Sequence, residues 1–456
     1  MLLDTFCDKG SLVIWENLTI VDLMKRVADR REGRYPYWWS GGSAFFGLIV
    51  VLSAAILAMT LHRDATQMSS TLFERIEDVP APSPPGAHEP SLTSQEDTLY
   101  MSWMEQAGSE TKVMMAGRTL DGWSVPRLVH QGNDLFVNWA DFPGIAVFDG
   151  GTIAVHWLRE IGPSSFDYQV EISLSHDGGT TWGQPLIPHA DRSFVQHGFV
   201  SMWPAGQTGL AVIWLDSRAY GFEGDEALGA PDAMQLRATM LASDGELGDD
   251  VAIDLRTCSC CQTSLAATGA GAVLAAYRDR TEDEIRDISV ARLTEKGWQT
   301  PVSVHDDGWE LSGCPVNGPA IDSDGEIAAV AWFTGAHDVA AVKVAFSEDG
   351  GRNFDAPVRI DLGNPVGRVD LEMLDDGTAL VSWVEWTEGN EALFLCRVHS
   401  NAGCISKERL ATNSAGASVN FPRMARLGRE VYLAWTQPNA NGDSISIRRA
   451  VLADSN

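Results

Sequence analysis

The sequence predicts an all-β protein, a β-propeller of seven four-stranded blades preceded by one transmembrane helix. Two observations support the propeller. A run of apolar residues that ends in an aromatic residue recurs seven times, and successive copies lie 51 to 63 residues apart. The 43 Gly and 20 Pro residues supply many turns. Rings of six or eight blades are the alternatives, with six the one we weigh first.

One stretch near the N-terminus has the length and composition of a membrane span. Residues 44–61 read AFFGLIVVLSAAILAMTL, without a charge, which is enough to cross a bilayer. Basic residues precede it, so residues 1–43 are expected in the cytoplasm. We predict an uncleaved signal anchor that holds the rest of the chain outside the cytoplasm, in the periplasm or extracellular space. A cleaved signal peptide and a buried core helix are the alternatives.

Residues 62–88 are rich in proline and polar residues and predict a tether. Within the tether, residues 72–79 read LFERIEDV and have the pattern of a strand. The last repeat lacks its fourth strand, and this segment could supply it from the N-terminal side and close the ring. The propeller itself is predicted over residues 89–454.

The repeat places a short apolar strand in each blade. The seven copies are YMSW, AVHW, AVIW, LAAY, AVAW, LVSW and YLAW, which end at Trp103, Trp157, Trp214, Tyr277, Trp332, Trp383 and Trp435. Further β-type runs precede and follow most copies. One such unit cannot bury both faces of its sheet, so the units are expected to pack around a ring. Two separate β-sandwiches would not produce so even a period.

Two segments match the Asp-box pattern S-x-D-x-G-x-T-W. The first runs from Ser175 through Asp177 and Gly179 to Trp182, and in the second, Phe replaces Trp. In each, the aspartate can accept hydrogen bonds from turn amides, and the glycine can adopt positive φ. The residues of the second copy are Ser347, Asp349, Gly351 and Phe354.

With these motifs, residues 89–454 resemble the sialidase-like (BNR/Asp-box) superfamily of propellers. The resemblance implies that the Asp-boxes are structural and lie on the face opposite the ligand site. It also implies recognition of a glycan at the central mouth, with exo-sialidase-type hydrolysis as the further expectation. The Arg-Ile-Pro motif of true sialidases is absent, and no Tyr/Glu nucleophile pair can be assigned.

Charged residues near the predicted mouth are candidates for ligand binding and catalysis. Arginines that reach the mouth would form a cationic patch, and such a patch would favour an acidic glycan or another anion as the ligand. Three aspartates, Asp141, Asp216 and Asp307, are candidate general acids or bases. Ion pairs within a blade are the alternative for the arginines. The candidate ligand-binding residues are Arg159, Arg218, Arg278, Arg280 and Asn317.

Four cysteines should also converge at the mouth. Cys258, Cys260 and Cys261 precede the fourth repeat, and Cys314 precedes the fifth. Together with His197 they could bind copper or zinc as a metal site, form disulfides in an oxidising compartment, or act as a redox dithiol. A metal-binding or redox protein is therefore an alternative function, and a non-catalytic interaction scaffold is a third.

Cys396 and Cys404 flank a predicted hairpin, which favours a cross-strand disulfide.

Asp and Glu number 62 against 33 Lys and Arg, for a net charge of -29. A nucleic-acid partner is therefore not expected.

Overall fold

The computed structural model describes residues 71–206, 209–220, 233–413, 418–439 and 442–453. The predicted cytoplasmic segment and membrane span lie outside these residues. Within the described part of the chain, no helix is both long enough and apolar enough to span a bilayer. The described chain is all-β apart from one 3-10 turn at Ala336–Asp338.

The strands form seven sheets, one for each blade of a propeller. This confirms the seven-bladed ring and excludes the six-bladed alternative. The first strand in the chain is β1 (Phe73–Val79), which is followed by blade 1 with β2 (Ala87–Gln95), β3 (Thr98–Ala107), β4 (Glu110–Thr119), β5 (Gly122–Trp123) and β6 (Arg127–Gly132), and by blade 2 with β7 (Ile145–Phe148), β8 (Thr152–Glu160) and β9 (Tyr168–Ser175). Blade 3 contains β10 (His197–Ala205), β11 (Gly209–Asp216), β12 (Met234–Ala242) and β13 (Val251–Thr257), and blade 4 contains β14 (Ser264–Ala267), β15 (Val273–Arg278), β16 (Ile288–Thr294), β17 (Gly297–Trp298) and β18 (Val302–His305). Blade 5 contains β19 (Ala320–Asp324), β20 (Ile327–Thr334), β21 (Ala341–Ser347) and β22 (Val358–Arg359), blade 6 contains β23 (Pro365–Met373), β24 (Ala379–Thr387), β25 (Asn390–His399) and β26 (Gly403–Thr412), and blade 7 contains β27 (Arg423–Leu427), β28 (Glu430–Asn439) and β29 (Gly442–Leu452).

Strand β1 is the outer strand of blade 7. It pairs antiparallel with β29, from Phe73 opposite Leu452 to Val79 opposite Ile447. The propeller therefore begins at β1 and not at residue 89, because the segment assigned to the tether contributes a strand to the last blade. The first and last described strands therefore meet in one sheet, which is how the ring closes.

Blade 2 differs from the four-stranded prediction. Its sheet has three strands, and the segment that follows contributes one isolated bridge between Ile172 and Leu186. Pro185 and Pro188 flank this bridge, and proline cannot donate a hydrogen bond to a sheet ladder.

The hydrophobic core lies between the blades. The seven repeated aromatic residues sit on the second strands and are at most 3% exposed. Seven clusters of buried side chains each join two neighbouring blades, including blade 7 to blade 1. The seven first strands surround a narrow channel of about 180 Å³.

The Asp-box turns have the predicted geometry. In the first, Ser175 Oγ accepts the Gly179 amide at 2.9 Å, and Asp177 Oδ1 accepts the Thr181 amide at 2.8 Å. Gly179 has φ +83°, and a Cβ there would lie 2.7 Å from Met115 Sδ, so glycine is required. The second turn repeats these contacts between Gly351 and Ser347 and between Asn353 and Asp349.

Candidate functional site

The mouth is the face of the propeller formed by the loops that enter each first strand and the loops that join second to third strands. Neighbouring strands within a blade are antiparallel, so these two sets of loops emerge on one face and the Asp-box turns on the other. A cavity of about 510 Å³ opens on this face, which we call the mouth cavity. Its described wall comes from blades 2 and 3 and from the loops that enter blades 4 and 5.

Aromatic side chains dominate the wall of the mouth cavity. The Phe136 ring stacks on Tyr168 with 4.0 Å between ring centroids. Trp139 is 42% exposed and Phe166 is 63% exposed, so both rings are available to a ligand. The polar residues of the lining include Asn138, Ser164, Asp167, Gln196 and Ser217, of which Asp167 and Ser217 are buried. An apolar cavity with a few polar groups is the usual form of a small-molecule binding site.

Asp141 lines the central channel and is buried. One carboxylate oxygen accepts the Phe199 amide at 2.8 Å, and the other accepts the Tyr168 hydroxyl at 3.4 Å. Burial raises the pKa of the Asp141 carboxyl to about 7. Asn317 plays the same part between blades 5 and 6, because its Oδ1 accepts the Arg368 amide at 2.7 Å. Asp141 and Asn317 therefore link neighbouring blades, and neither is a free mouth group.

Asp216 has no exposed surface. It accepts the indole N–H of Trp214 at 2.8 Å and two bonds from the Arg218 guanidinium. Although burial favours the neutral acid, Arg218 holds the pKa of Asp216 below its usual value. The same contact recurs where Trp103, Trp383 and Trp435 donate to an acid or amide two residues later. The sequence contains this pattern, an acid or amide two residues after the tryptophan, and it would have predicted that Asp216 bonds to Trp214.

Asp307 is likewise bonded to residues of the blades and is not a free group of the mouth. It is 6% exposed, accepts the Trp332 indole N–H at 2.7 Å and pairs with Lys343. The three aspartates predicted as acids or bases are thus buried among protein partners.

The predicted anion-binding arginines are also occupied. Arg159 pairs with Asp134 and Glu171, Arg218 with Asp216 and Asp250, and Arg280 with Glu284. Arg278 is 2% exposed and donates to the carbonyl groups of Asn317, Arg286 and Phe333. The ion-pair alternative describes the first three, and Arg278 is buried inside the ring.

Arg368 is a mouth cation that sequence reasoning missed. Its guanidinium lies 5.3 Å from the Trp139 ring centroid and 5.8 Å from that of Phe421. It also bonds to Glu391 at 3.2 Å. Burial lowers the pKa of Arg368. The available signal was its place near the start of β23, the first strand of blade 6, next to Gly367.

The four cysteines of the cluster are not four free thiolates that could bind one metal ion. Cys260 and Cys314 form a disulfide, whereas Cys258 and Cys261 are free and buried. The predicted four-sulfur metal site is therefore not the state of the protein in this structure. Among the described residues, the sulfurs of Cys258, Cys260 and Cys261 lie within 4.8 Å of one another, and His197 does not join them.

His197 belongs to a different set of contacts. Its ring stacks on His189 at 3.8 Å, and its Nε2 lies 3.2 Å from Asp191 and 3.6 Å from Asp216. These contacts occupy the His197 ring inside blade 3.

The two free cysteines differ in chemistry. The Cys258 and Cys261 sulfurs lie 3.4 Å apart, and Arg286 Nη1 lies 3.3 Å from Cys258 Sγ. The Cys261 thiol and the positive charges of Arg278 and Arg286 lower the pKa of the Cys258 thiol to about 6. Burial raises the pKa of the Cys261 thiol.

The second predicted disulfide is confirmed. Cys396 on β25 is bonded to Cys404 on β26, across the hairpin that joins these strands.

No protein-family model and no curated protein sequence matches the chain. Solved structures with a similar fold include a protein of unknown function from Dyadobacter fermentans, at 12% identity and TM-score 0.47, covering 84% of this chain and 99% of that one. The polysaccharide lyase Uly1 has 10% identity and TM-score 0.49, over 82% and 91% of the two chains. A Trypanosoma rangeli sialidase has 11% identity and TM-score 0.44, over 80% and 60%. From its seven blades and its two Asp-box turns, the chain has a sialidase-like β-propeller fold.

Proposed function

We propose that the protein binds a glycan in the mouth cavity. The observation that carries the proposal is the aromatic wall, in which the exposed rings of Trp139 and Phe166 border a cavity of about 510 Å³. The flat apolar face of a sugar ring packs on such rings, and its hydroxyl groups need polar partners at the edge. Asn138 and Gln196 carry side-chain amide groups that can serve as those partners.

The part of the glycan in this cavity is uncharged. Among the described wall residues there is no Arg, Lys or His. Ligand carboxylates are usually held by free guanidinium groups, and the arginines predicted for that role are already paired or buried.

Binding is a better account of this site than hydrolysis. A glycosidase of the common type uses two carboxyl groups roughly 5–10 Å apart across the scissile bond. In the described wall of the mouth cavity, Asp167 is the one carboxylate, and it accepts the Ser164 amide at 2.8 Å.

The test is a binding titration of the full chain with neutral, uronate-containing and sialylated oligosaccharides. Trp139→Ala is expected to weaken a neutral oligosaccharide by about tenfold, the usual scale for an aromatic anchor. Trp386→Ala is the matched control, because Trp386 is 47% exposed on blade 6 and lies outside the mouth cavity. Equal effects of both variants, or no binding across the panel, would refute the proposal.

We also propose that residues 44–61 anchor the propeller outside the cytoplasm. The two disulfides support this location, because structural disulfides form and persist in oxidising compartments. Protease treatment of spheroplasts and of lysed spheroplasts tests it, since a propeller outside the cytoplasmic membrane is cut before that membrane is opened; protection of the propeller until lysis would refute this location.

A further inference from the structure

Two cysteine pairs with different oxidation states lie side by side where the loops that enter blades 4 and 5 meet. Cys258 and Cys261 are free thiols, and Cys260 between them is bonded to Cys314. The Cys258 sulfur lies 4.0 Å from the Cys260 sulfur and 3.4 Å from that of Cys261. One thiol is therefore within reach of a disulfide sulfur on one side and of a second thiol on the other.

The surroundings of Cys258 favour its reactive form. Arg286 Nη1 donates to its sulfur at 3.3 Å. Arg278, whose own donors bond to carbonyl groups of Asn317, Arg286 and Phe333, adds a second positive charge close by. Thiolates, and not thiols, attack disulfide sulfurs.

Solvent reaches this cluster from one side. Cys258 and Cys261 are 1% and 2% exposed, whereas Cys314 is exposed and lines the mouth cavity with Cys260. A dissolved reagent can therefore meet Cys314 but not the buried thiols.

We propose that these four cysteines form an internal thiol–disulfide exchange site that delivers a reactive thiol to Cys314. In the first step, the Cys258 thiolate attacks Cys260 Sγ, the Cys258–Cys260 bond forms, and the Cys260–Cys314 bond breaks. Cys314 leaves as a thiolate. In the second step, the Cys261 thiol loses its proton and attacks Cys258 Sγ. The Cys258–Cys261 bond forms, and Cys260 leaves as a thiolate.

The exchange balances without an outside oxidant or reductant. One dithiol and one disulfide become one disulfide and one dithiol, so two electrons pass from the Cys258/Cys261 pair to the Cys260/Cys314 pair. Protons lost by the first pair are taken up by the second. The product carries thiols on the mouth cavity, where disulfide-containing molecules and alkylating reagents can modify them.

The experiment traps the exposed thiol by alkylation. The full chain, purified in detergent from an oxidising compartment, is incubated at neutral pH with N-ethylmaleimide and no reductant. It is then quenched in acid and digested without reduction, and the bonded and labelled cysteines are mapped by mass spectrometry. Because alkylation is irreversible, it captures Cys314 even when the exchanged form is a small fraction.

The wild-type chain is expected to carry label on Cys260 and Cys314, together with a Cys258–Cys261 bond. Cys258→Ser should lower the labelling of Cys314 by about tenfold or more, since the attacking thiol is gone. Cys261→Ser should stop the reaction after its first step, with a Cys258–Cys260 bond and label on Cys314 alone. A variant that merely unfolds would not redirect the label in this way.

The Cys396–Cys404 disulfide is the internal control, and it should stay bonded and unlabelled in all three proteins. Three results would overturn the proposal. One is equal labelling of Cys314 with and without Cys258. Another is an unlabelled Cys314 in the wild type under conditions in which added dithiothreitol opens its disulfide. The third is one equivalent of copper or zinc on Cys258 and Cys261 in the purified chain, which would make them ligands.

Discussion

Asp141 offers the sharpest test of how this propeller is held together. Replacing it with asparagine keeps an oxygen for the Phe199 amide and removes the charge. The same arrangement already exists in this chain, because Asn317 accepts the Arg368 amide between blades 5 and 6. The Asp141→Asn variant is therefore expected to fold.

The magnitude follows from the pKa of Asp141, which burial raises from 3.8 to about 7. Below about pH 4 both the folded and the unfolded chain hold the proton. Between pH 4 and 7 only the folded chain holds it, so the free energy of unfolding falls by roughly 1.4 kcal/mol per pH unit. Above pH 7 both forms are ionised and the dependence ends.

The assay is unfolding of the wild type and the variant at pH 5 and pH 8. Asparagine does not titrate, so the variant should gain about 3 kcal/mol relative to the wild type between these two pH values. That difference corresponds to roughly 4 °C in Tm for a fold of this size. Asp121→Asn, at an exposed turn after β4, is the matched control, and its difference from the wild type should stay constant.

A constant difference for Asp141→Asn as well would refute the reasoning. It would mean that Asp141 stays charged in the folded protein at both pH values. Asp141 would then again be a candidate for acid–base chemistry.

Three further predictions concern packing and protonation. Phe73→Ala, in the strand that closes the ring, should cost about 3 kcal/mol of unfolding free energy, whereas Glu74→Ala beside it should cost about 0.5 or less; equal small effects would show that blade 7 closes without β1. Trp214→Phe should cost about 1–2 kcal/mol, because its indole N–H donates at 2.8 Å. Trp157→Phe should cost less, because the Trp157 indole N–H has no acceptor among the described residues; the reverse order in denaturant titrations would contradict this. Burial lowers the pKa of His156 from 6.5 to about 3, so its contribution to stability is present above pH 6.5 and is lost as pH falls towards 3. The His156→Gln variant should reduce the slope of unfolding free energy against pH by roughly 1.4 kcal/mol per pH unit between pH 6 and 4. An unchanged slope would show that His156 does not cause this pH dependence.

Much of the fold could be predicted because its signals are local. An apolar run that ends in an aromatic residue repeats every 51 to 63 residues, and each copy lies in the buried second strand of a blade. The Asp-box spacing predicts a single tight turn, and the hairpin between Cys396 and Cys404 needs only eight residues of chain. These features depend on neighbours in sequence, so reading residue types in order was enough.

The candidate site was predicted less well because it depends on which side chains pair with one another in the folded chain. Asp216 was predicted as a general acid or base and Arg218 as a cation that binds an anionic ligand, but they bond to each other and to Trp214 and Asp250. Composition cannot distinguish a charge that faces a ligand from one that meets its opposite in the same blade. The aromatic wall was missed for a similar reason, since Trp139 and Phe166 stand in separate loops without a shared pattern.

The sequence by itself determined the number of blades, the positions of their strands and the turns on the face opposite the mouth. Only the tertiary structure decided which loops share the mouth cavity, which cysteine bonds to Cys314, and which charges are neutralised. The reason is the ring. Its closure by β1 against β29 joins residues more than 360 positions apart, and it brings together loops whose contacts no local pattern encodes.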